Sequence, residues 1–462
     1  MEFPAKLQIN AWGGAEVDNR STLLSSEATS RVRGSLNAQD SMLAPDISDS
    51  KNWEDERVGW GLLVIDDPNF TDQQKVDGKD LAEPLRALCK ERQDAPVFRY
   101  NPEDPTGILR RYKSDGSIDK PSIGAMNHGI GNGKIPKYLL LYGSPQQLPW
   151  RLQFRLQASL YVGRLDLEGE ALENYVKALI RGWAERKPVV QNTLFWSVDH
   201  GKHDITRLMR RAVSEELIKS FKADIDYSAG ITHLTGEEAT QSGLSQALND
   251  KQPGLIVSTS HGATQPIGDV GAMQESLGLL IDKDYDLTDP ASLLNNWQPS
   301  GAIWYSHACC SAGASGRSEF VELVEVGSGV ERILSAVEKC GDMVSPLPKA
   351  LLGAANPIRA FIGHVEPTFD WSLWHPNTKQ FLSTPLKRSL YQALFTGEPI
   401  GMAMQAIRAA GSLHLHNWEF AKDRRADGED MRGELLALRL IARDWASLVV
   451  IGDPTCKLPI EN

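Results

Sequence analysis

The stretch Leu255-Ile256-Val257-Ser258-Thr259-Ser260-His261-Gly262 decides how this chain is read. It opens on apolar and β-branched residues, the character of a buried strand, and ends in a histidine and a glycine. A second stretch repeats the plan: Ile303-Trp304-Tyr305-Ser306-His307-Ala308-Cys309-Cys310-Ser311-Ala312-Gly313. This apolar run ends in a cysteine followed by small residues. Short runs of this kind, alternating with helical segments, are the pattern of parallel strands covered on both faces. Two such strands side by side would bring His261 and Cys309 to one edge of a sheet, the edge at which α/β proteins bind ligands.

A thiol becomes a strong nucleophile when a neutral imidazole within hydrogen-bond reach takes its proton. Gly262 lets a substrate backbone approach, and the N–H groups of Gly262 and Cys309 would stabilise the oxyanion of an acyl intermediate. Ser311, Ala312 and Gly313 leave room for a peptide chain. Alone, His261 reads as a strand-end histidine and Cys309 as a core thiol; together, each closing an apolar run, they point to nucleophilic catalysis. Cys310 is the other candidate nucleophile. Neighbouring side chains on a strand point to opposite faces, so only one of the two cysteines would face His261.

These motifs resemble those of the caspase-fold (clan CD) cysteine peptidases, which include caspases, gingipains and the bacterial CHAT peptidases. There, His-Gly precedes the nucleophile by about 50 residues. Ala308-Cys309-Cys310-Ser311-Ala312 matches the family's A-C-x-S/T-A/G style with Cys309 as nucleophile. In the other register the residue before the nucleophile would be Cys309 rather than alanine. Tyr138 to Gly143, Leu148-Pro149-Trp150 and Tyr161-Val162-Gly163-Arg164 are similar to the end of the smaller α/β subdomain that precedes the catalytic one in gingipain-like enzymes. Ile451-Gly452-Asp453-Pro454 is similar to a closing strand. The resemblance covers about residues 58 to 458 and leaves 1–57 unmatched.

The fold expected is therefore α/β and caspase/gingipain-like: two α/β subdomains, each with a mainly parallel sheet flanked by helices. Residues 1–57, rich in Ser, Asp, Asn and Arg from about residue 15, form an N-terminal arm or irregular segment that orders, if at all, against the rest. Residues 58–187 form the first subdomain and 188–462 the catalytic one, divided at Lys187-Pro188. Residues 101–135 read as an excursion loop, and a helix from Glu237 to Leu248 is expected with Thr235 as its cap.

At 462 residues and 41% hydrophobic, the chain can bury a large core. A net charge of −11 disfavours nucleic-acid binding, which needs a basic surface. Five cysteines, an odd number with two adjacent, make no disulfide framework and no zinc spacing. With no export signal at the N-terminus and no long apolar run, a cytoplasmic, span-free protein is expected. The chemistry calls for no cofactor. His200-Gly201-Lys202-His203-Asp204 and His414-Leu415-His416 are weak metal patterns, and no metal site is expected. Asn127-His128-Gly129 repeats His-Gly without a preceding apolar strand.

Asp199, at the end of the strand Leu194 to Val198, is the expected orienter of His261. Segments 199–207, 305–307 and 361–374 would wall the substrate pocket, with Asp204, Arg207, His307, Glu366, Trp371 and Trp374 as substrate-binding candidates. Acids outnumber bases there, which favours Arg or Lys before the scissile bond. The Ser- and Gly-rich segment 311–318, with Arg317, reads as an exposed loop or a processing site.

The expected function is a cysteine endopeptidase acting on a restricted protein or peptide substrate through a Cys309–His261 dyad. Two rivals remain: a thiol acyltransferase or transpeptidase using the same dyad, and a catalytically silent pseudoprotease that only binds. The likeness to CHAT peptidases implies a regulatory or activating partner protein.

Overall fold

The apolar runs become strands of one sheet in the computed structural model, which describes residues 6–14, 20–22, 48–104, 107–125, 127–185 and 187–460. In chain order the strands are β1 (Trp60–Ile65), β2 (Val97–Tyr100), β3 (Leu109–Tyr112), β4 (Ile118–Asp119), β5 (Tyr138–Tyr142), β6 (Tyr161–Leu165), β7 (Val189–Ser197), β8 (Ile231–Thr235), β9 (Pro253–Thr259), β10 (Ile303–His307), β11 (Ala360–His364) and β12 (Leu448–Gly452). They form a twelve-stranded sheet in the order β8-β7-β9-β10-β11-β12-β6-β5-β1-β2-β3-β4.

Residues 58–187 supply one half of this sheet and residues 188–462 the other. The expectation of a separate sheet in each subdomain is corrected by β12, which pairs antiparallel with β11 and parallel with β6. The last strand of the chain covers the open edge of each half, and an uncovered edge would be a liability. Because β12 runs against β11 and with β6, the parallel strands of the two halves point in opposite directions. Their carboxyl ends therefore open on opposite edges of the sheet.

The second half is parallel from β8 through β7, β9 and β10 to β11. Leu255, Ile256 and Val257 of β9 and Ile303, Trp304 and Tyr305 of β10 have no exposed surface. Each such aliphatic side chain contributes roughly 1.5–3 kcal/mol on burial. Helices cover the faces. The helix Gly329–Lys339 turns Val330, Ile333, Leu334 and Val337 inward, and the Ser328 hydroxyl caps it by accepting from Glu331 N at 3.1 Å.

Two local expectations are corrected. Residues 101–135 hold β3 and β4, a meander added antiparallel to β2. The helix expected at Glu237 starts later, as Gln241–Lys251, with Thr240 as its cap on Gly243 N, while residues 236–238 make a single 3₁₀ turn. Of the N-terminal segment, Lys6–Gln8 pairs antiparallel with Arg20–Thr22, and Ala11–Trp12 pairs parallel with Gly262–Ala263. Residues 1–5, 15–19 and 23–47 of the expected arm lie outside the described residues. Among the described residues, no helix is long and apolar enough to cross a membrane.

Candidate active site

β9 and β10 are neighbours in register, Thr259 opposite His307, so the segments that follow them leave the sheet at the same edge. His261 comes two residues after β9 and Cys309 two residues after β10. Both are fully buried. Gly262 packs against the cysteine's own backbone: a Cβ there would lie 1.9 Å from the Cys309 carbonyl oxygen and 3.0 Å from its nitrogen. No residue but glycine fits at that distance.

The carboxylate on His261 is Asp204, not Asp199. His261 Nε2 donates to Asp204 Oδ2 at 3.0 Å. With Nε2 as donor, the lone pair of the neutral ring sits on Nδ1, which is buried and has no partner. Asp204 is the N-cap of a helix that starts at Ile205–Met209 and continues through Arg210–Glu215 to Glu216–Lys222, its Oδ1 accepting from Thr206 N at 2.8 Å. Burial alone would raise its carboxyl, but the bond and charge of His261, helped by Thr206, bring it well below the ordinary aspartate range. Asp199 lies past the end of β7, accepting from Gly201 N at 2.9 Å and pairing with Arg210 at 3.2 Å.

His200 was not anticipated as part of this cluster. Its ring stacks near-parallel on His261 at 5.5 Å and on Tyr285 at 4.2 Å, and its Nε2 donates to the Asp282 carbonyl at 2.9 Å. Trp12 lies against the same group, 6.0 Å from His261 and 4.6 Å from Tyr285. One ligand atom from each of His200, Asp204 and His261 falls within 4.8 Å of the others. Two imidazoles and a carboxylate suit zinc chemically. Both Nε2 atoms are already engaged, His200 on the Asp282 carbonyl and His261 on Asp204, and the Nδ1 atoms of both rings are buried without a partner.

Cys309 and Cys310 sit in the turn after β10, not on the strand, so strand alternation does not separate them. Their surroundings do. Cys309 Sγ accepts from Thr368 N at 3.2 Å and lies 3.9 Å from the Thr368 carbonyl. Among the described residues no hydrogen bond joins this sulfur to His261. Burial pushes the thiol well above its ordinary pKa, which the Thr368 N–H only partly offsets. Cys310 has a left-handed backbone (φ 54°), its N–H donates to the Glu366 carbonyl at 3.0 Å, and its carbonyl accepts from Ser345 Oγ at 2.5 Å. Burial pushes its thiol up as well.

The loop carrying Thr368 is held from below. Asp444, buried on the helix Arg432–Ser447, accepts from Phe369 N at 3.2 Å and from the Ser372 hydroxyl. His364 Nδ1 lies 3.2 Å from Asp444 Oδ1. Thr368, Asp444 and Asn10 carry no local sequence signal of a site. Asp204 did: an Asp-Ile-Thr helix start directly after the strand that neighbours β9.

The remaining candidates scatter. Arg207 is exposed on the first turn of the helix that Asp204 caps. His307 faces inward, its Nδ1 on the Tyr305 hydroxyl at 2.9 Å and its ring against His364 at 4.9 Å. Glu366 is buried at φ 74°, and burial pushes its carboxyl up to about 8. Trp371 is core, and Trp374 is half-buried beneath Lys379. Among the described residues, His128, His414 and His416 belong to no group of three or more potential metal ligands. All five cysteines are free and buried. Comparison with known proteins finds no matching family model, no matching curated protein and no matching solved structure.

Proposed function

We propose that the chain is a cysteine-type endopeptidase, of the caspase-like kind that its His-Gly and Ala-Cys motifs resemble. The observation that carries this is His261: its Nε2 is tied to Asp204, its Nδ1 is free and buried, and the next residue packs on the backbone of Cys309. A carboxylate–imidazole pair with one open nitrogen beside a thiol is the arrangement that proton transfer in acyl chemistry requires.

The reaction follows from these groups. The Cys309 proton passes to the imidazole and the sulfur attacks the peptide carbonyl carbon, forming a C–S bond. The oxyanion is met by backbone N–H groups. The imidazolium, stabilised by Asp204, returns its proton to the leaving amine as the C–N bond breaks. Water then attacks the thioester, releasing the acid and restoring the thiol. Asp204 holds the ring through Nε2, which leaves Nδ1 as the nitrogen that carries the proton to the leaving amine.

A peptide-library cleavage profile combined with mass-spectrometric mapping of an electrophilic peptide label tests the proposal. Cleavage and a label on Cys309, both lost in Cys309→Ala and both surviving a chelator, are expected. A profile with no cleavage, or a label on another residue, would retire it. The buried state of Cys309 favours one other reading, a silent binding module, and the same label separates the two.

A further inference from the structure

We propose that the cleft between Gly262–Ala263 and Thr368–Asp370 takes an extended peptide with asparagine before the attacked bond, and that residues 8–12 of this chain occupy it as a pseudosubstrate. The inference rests on the peptidase reading above and names the substrate class and the resting state of that same site.

The N-terminal segment is bound by main-chain pairing on both sides, the way an added strand is held. On one side Ile9 bridges antiparallel to Phe369, and Asn10 N donates to the Thr368 carbonyl at 2.8 Å. On the other side Ala11 and Trp12 pair parallel with Gly262 and Ala263, and Thr264 N donates to the Trp12 carbonyl at 3.1 Å. That last bond fixes the phase of the ladder, and the same phase aims the Gly262 N–H at the Asn10 carbonyl. The carbonyl of the Asn10–Ala11 bond thus meets the donor that an oxyanion would use. Cys309 Sγ and Asn10 N lie against one carbonyl oxygen, that of Thr368, at 3.9 and 2.8 Å. Trp12, beyond the bond, lies over His261. Contacts of the Cys309, Gly262 and His261 segments thus converge on residues 10–12.

The side chain at the centre indicates what the cleft selects. Asn10 has no exposed surface, and its Nδ2 donates to the Ser260 carbonyl at 3.1 Å. Aspartate there would set a carboxylate against that carbonyl and be rejected. Arginine or lysine would need an ionised carboxylate to receive it: Asp204 is held by His261 and Asp199 by Arg210, burial pushes Glu366 up to about 8, and burial pushes Asp370, which accepts from Gln8 N at 3.4 Å, up to about 6. An uncharged amide fits what remains. The occupied cleft also accounts for the complete burial of Cys309.

The test uses full-length protein and probes carrying the sequence of residues 7–12, Leu-Gln-Ile-Asn-Ala-Trp. Ile9→Asp places a charge where Ile9 has no exposed surface and should unseat the strand. Should it fail to fold, the nearly isosteric Asn10→Asp replaces it. Labelling of Cys309 by a Leu-Gln-Ile-Asn acyloxymethyl ketone, in which the thiol displaces the carboxylate leaving group, is expected to quicken at least ten-fold in either variant. Fluorogenic peptides ending in Asn should be cleaved at least ten-fold faster than those ending in Asp or Arg. An unchanged labelling rate in a folded variant, or preference for Arg, overturns the proposal. Binding of the six-residue peptide to Ile9→Asp/Cys309→Ala, read by anisotropy, separates the two readings. Binding without hydrolysis by Ile9→Asp keeps the cleft and retires the peptidase. Hydrolysis of other peptides without binding keeps the peptidase and retires the pseudosubstrate. Neither activity retires both.

Discussion

The two halves of the sheet share one construction, yet the rims at their carboxyl ends treat polar groups in opposite ways. Beyond β1, Asp66 is buried and receives Lys75 at 2.5 Å, Arg110 at 2.9 Å and the Tyr112 hydroxyl at 3.0 Å. Arg99 beside it is tied to Asp80 and to the Lys75 carbonyl. Every charge there has a partner, as a structural network must. Beyond β9 and β10, buried atoms stand without partners: His261 Nδ1, Asn10 Oδ1, Thr368 Oγ1 and Glu366 Oε1. A buried polar atom without a partner costs about 1–3 kcal/mol. Such a cost persists where the atom is needed for something else. The contrast sets a satisfied ion-pair cluster around Asp66 against unpartnered polar atoms around the proposed site.

The comparison breaks most sharply at the nucleophile. Cys309→Ala should reduce peptide cleavage by about 10⁴-fold or more with little change in unfolding midpoint, whereas Cys310→Ala should stay within about ten-fold of the parent. Steady-state rates beside denaturant curves decide this. If Cys310→Ala is the inactive one, the chemistry belongs to the other thiol. On the satisfied rim the reverse pattern is expected. Asp66→Ala strands Lys75 and should cost about 3–5 kcal/mol of stability while the protein that remains folded keeps its kcat. A large loss of kcat with unchanged stability would dissolve the division between the rims.

How legible these rims were differs for physical reasons. β9, β10 and the His261–Cys309 juxtaposition were readable because strands buried on both faces must be apolar along their whole length, and a reactive residue at the end of such a run is conspicuous. The single continuous sheet was not readable. It depends on β12, whose residues Leu448-Val449-Val450-Ile451 look alike whether they pair with one neighbour or two. The sequence places Asp199, at a strand end, on His261 and Asp204 among the residues of the substrate pocket. β7 stops at Ser197, and the chain turns before the helix that Asp204 caps, so the cap and not the strand end reaches His261. The N-terminal strand was hidden by its setting. Ile9-Asn10-Ala11-Trp12 is too short to show a period, and its partners are more than two hundred residues away.

Asp204 sharpens the contrast at intermediate size. Asp204→Asn keeps the cap on Thr206 but weakens the hold on the imidazolium, and kcat should fall about 10²-fold with little change in KM. The carboxyl titrates lower in the folded chain than in the unfolded one. Its contribution to stability is therefore complete above the ordinary aspartate pKa of 3.8 and is lost as the pH falls below it. The parent should lose more stability than Asp204→Asn on going from pH 5 to pH 3. Parallel acid-unfolding curves for the two proteins would remove this pair from the account.

The smallest effect tests whether an unsatisfied group on the reactive rim really carries a cost. Glu366 is buried and its Oε1 has no partner; the Ser318 hydroxyl and the Glu319 N–H bond the carboxyl, and Glu319, Glu338 and Cys310 lie near it. Burial pushes its carboxyl up to about 8, while in the unfolded chain it titrates at the ordinary glutamate value of 4.5. Between those two pH values the folded protein holds a proton that the unfolded chain has released. Folding stability must therefore decline as the pH rises across that interval. Glu366→Gln cannot ionise and keeps nearly the same shape, so it should be close to the parent at pH 5 and more stable at pH 8, by up to about 3 kcal/mol. Urea unfolding at the two pH values measures the difference. A gain of the same size at both would mean that the amide simply packs better. No gain at pH 8 would mean that the carboxylate finds a partner there, and the reactive rim would then be less unsatisfied than its opposite number suggests.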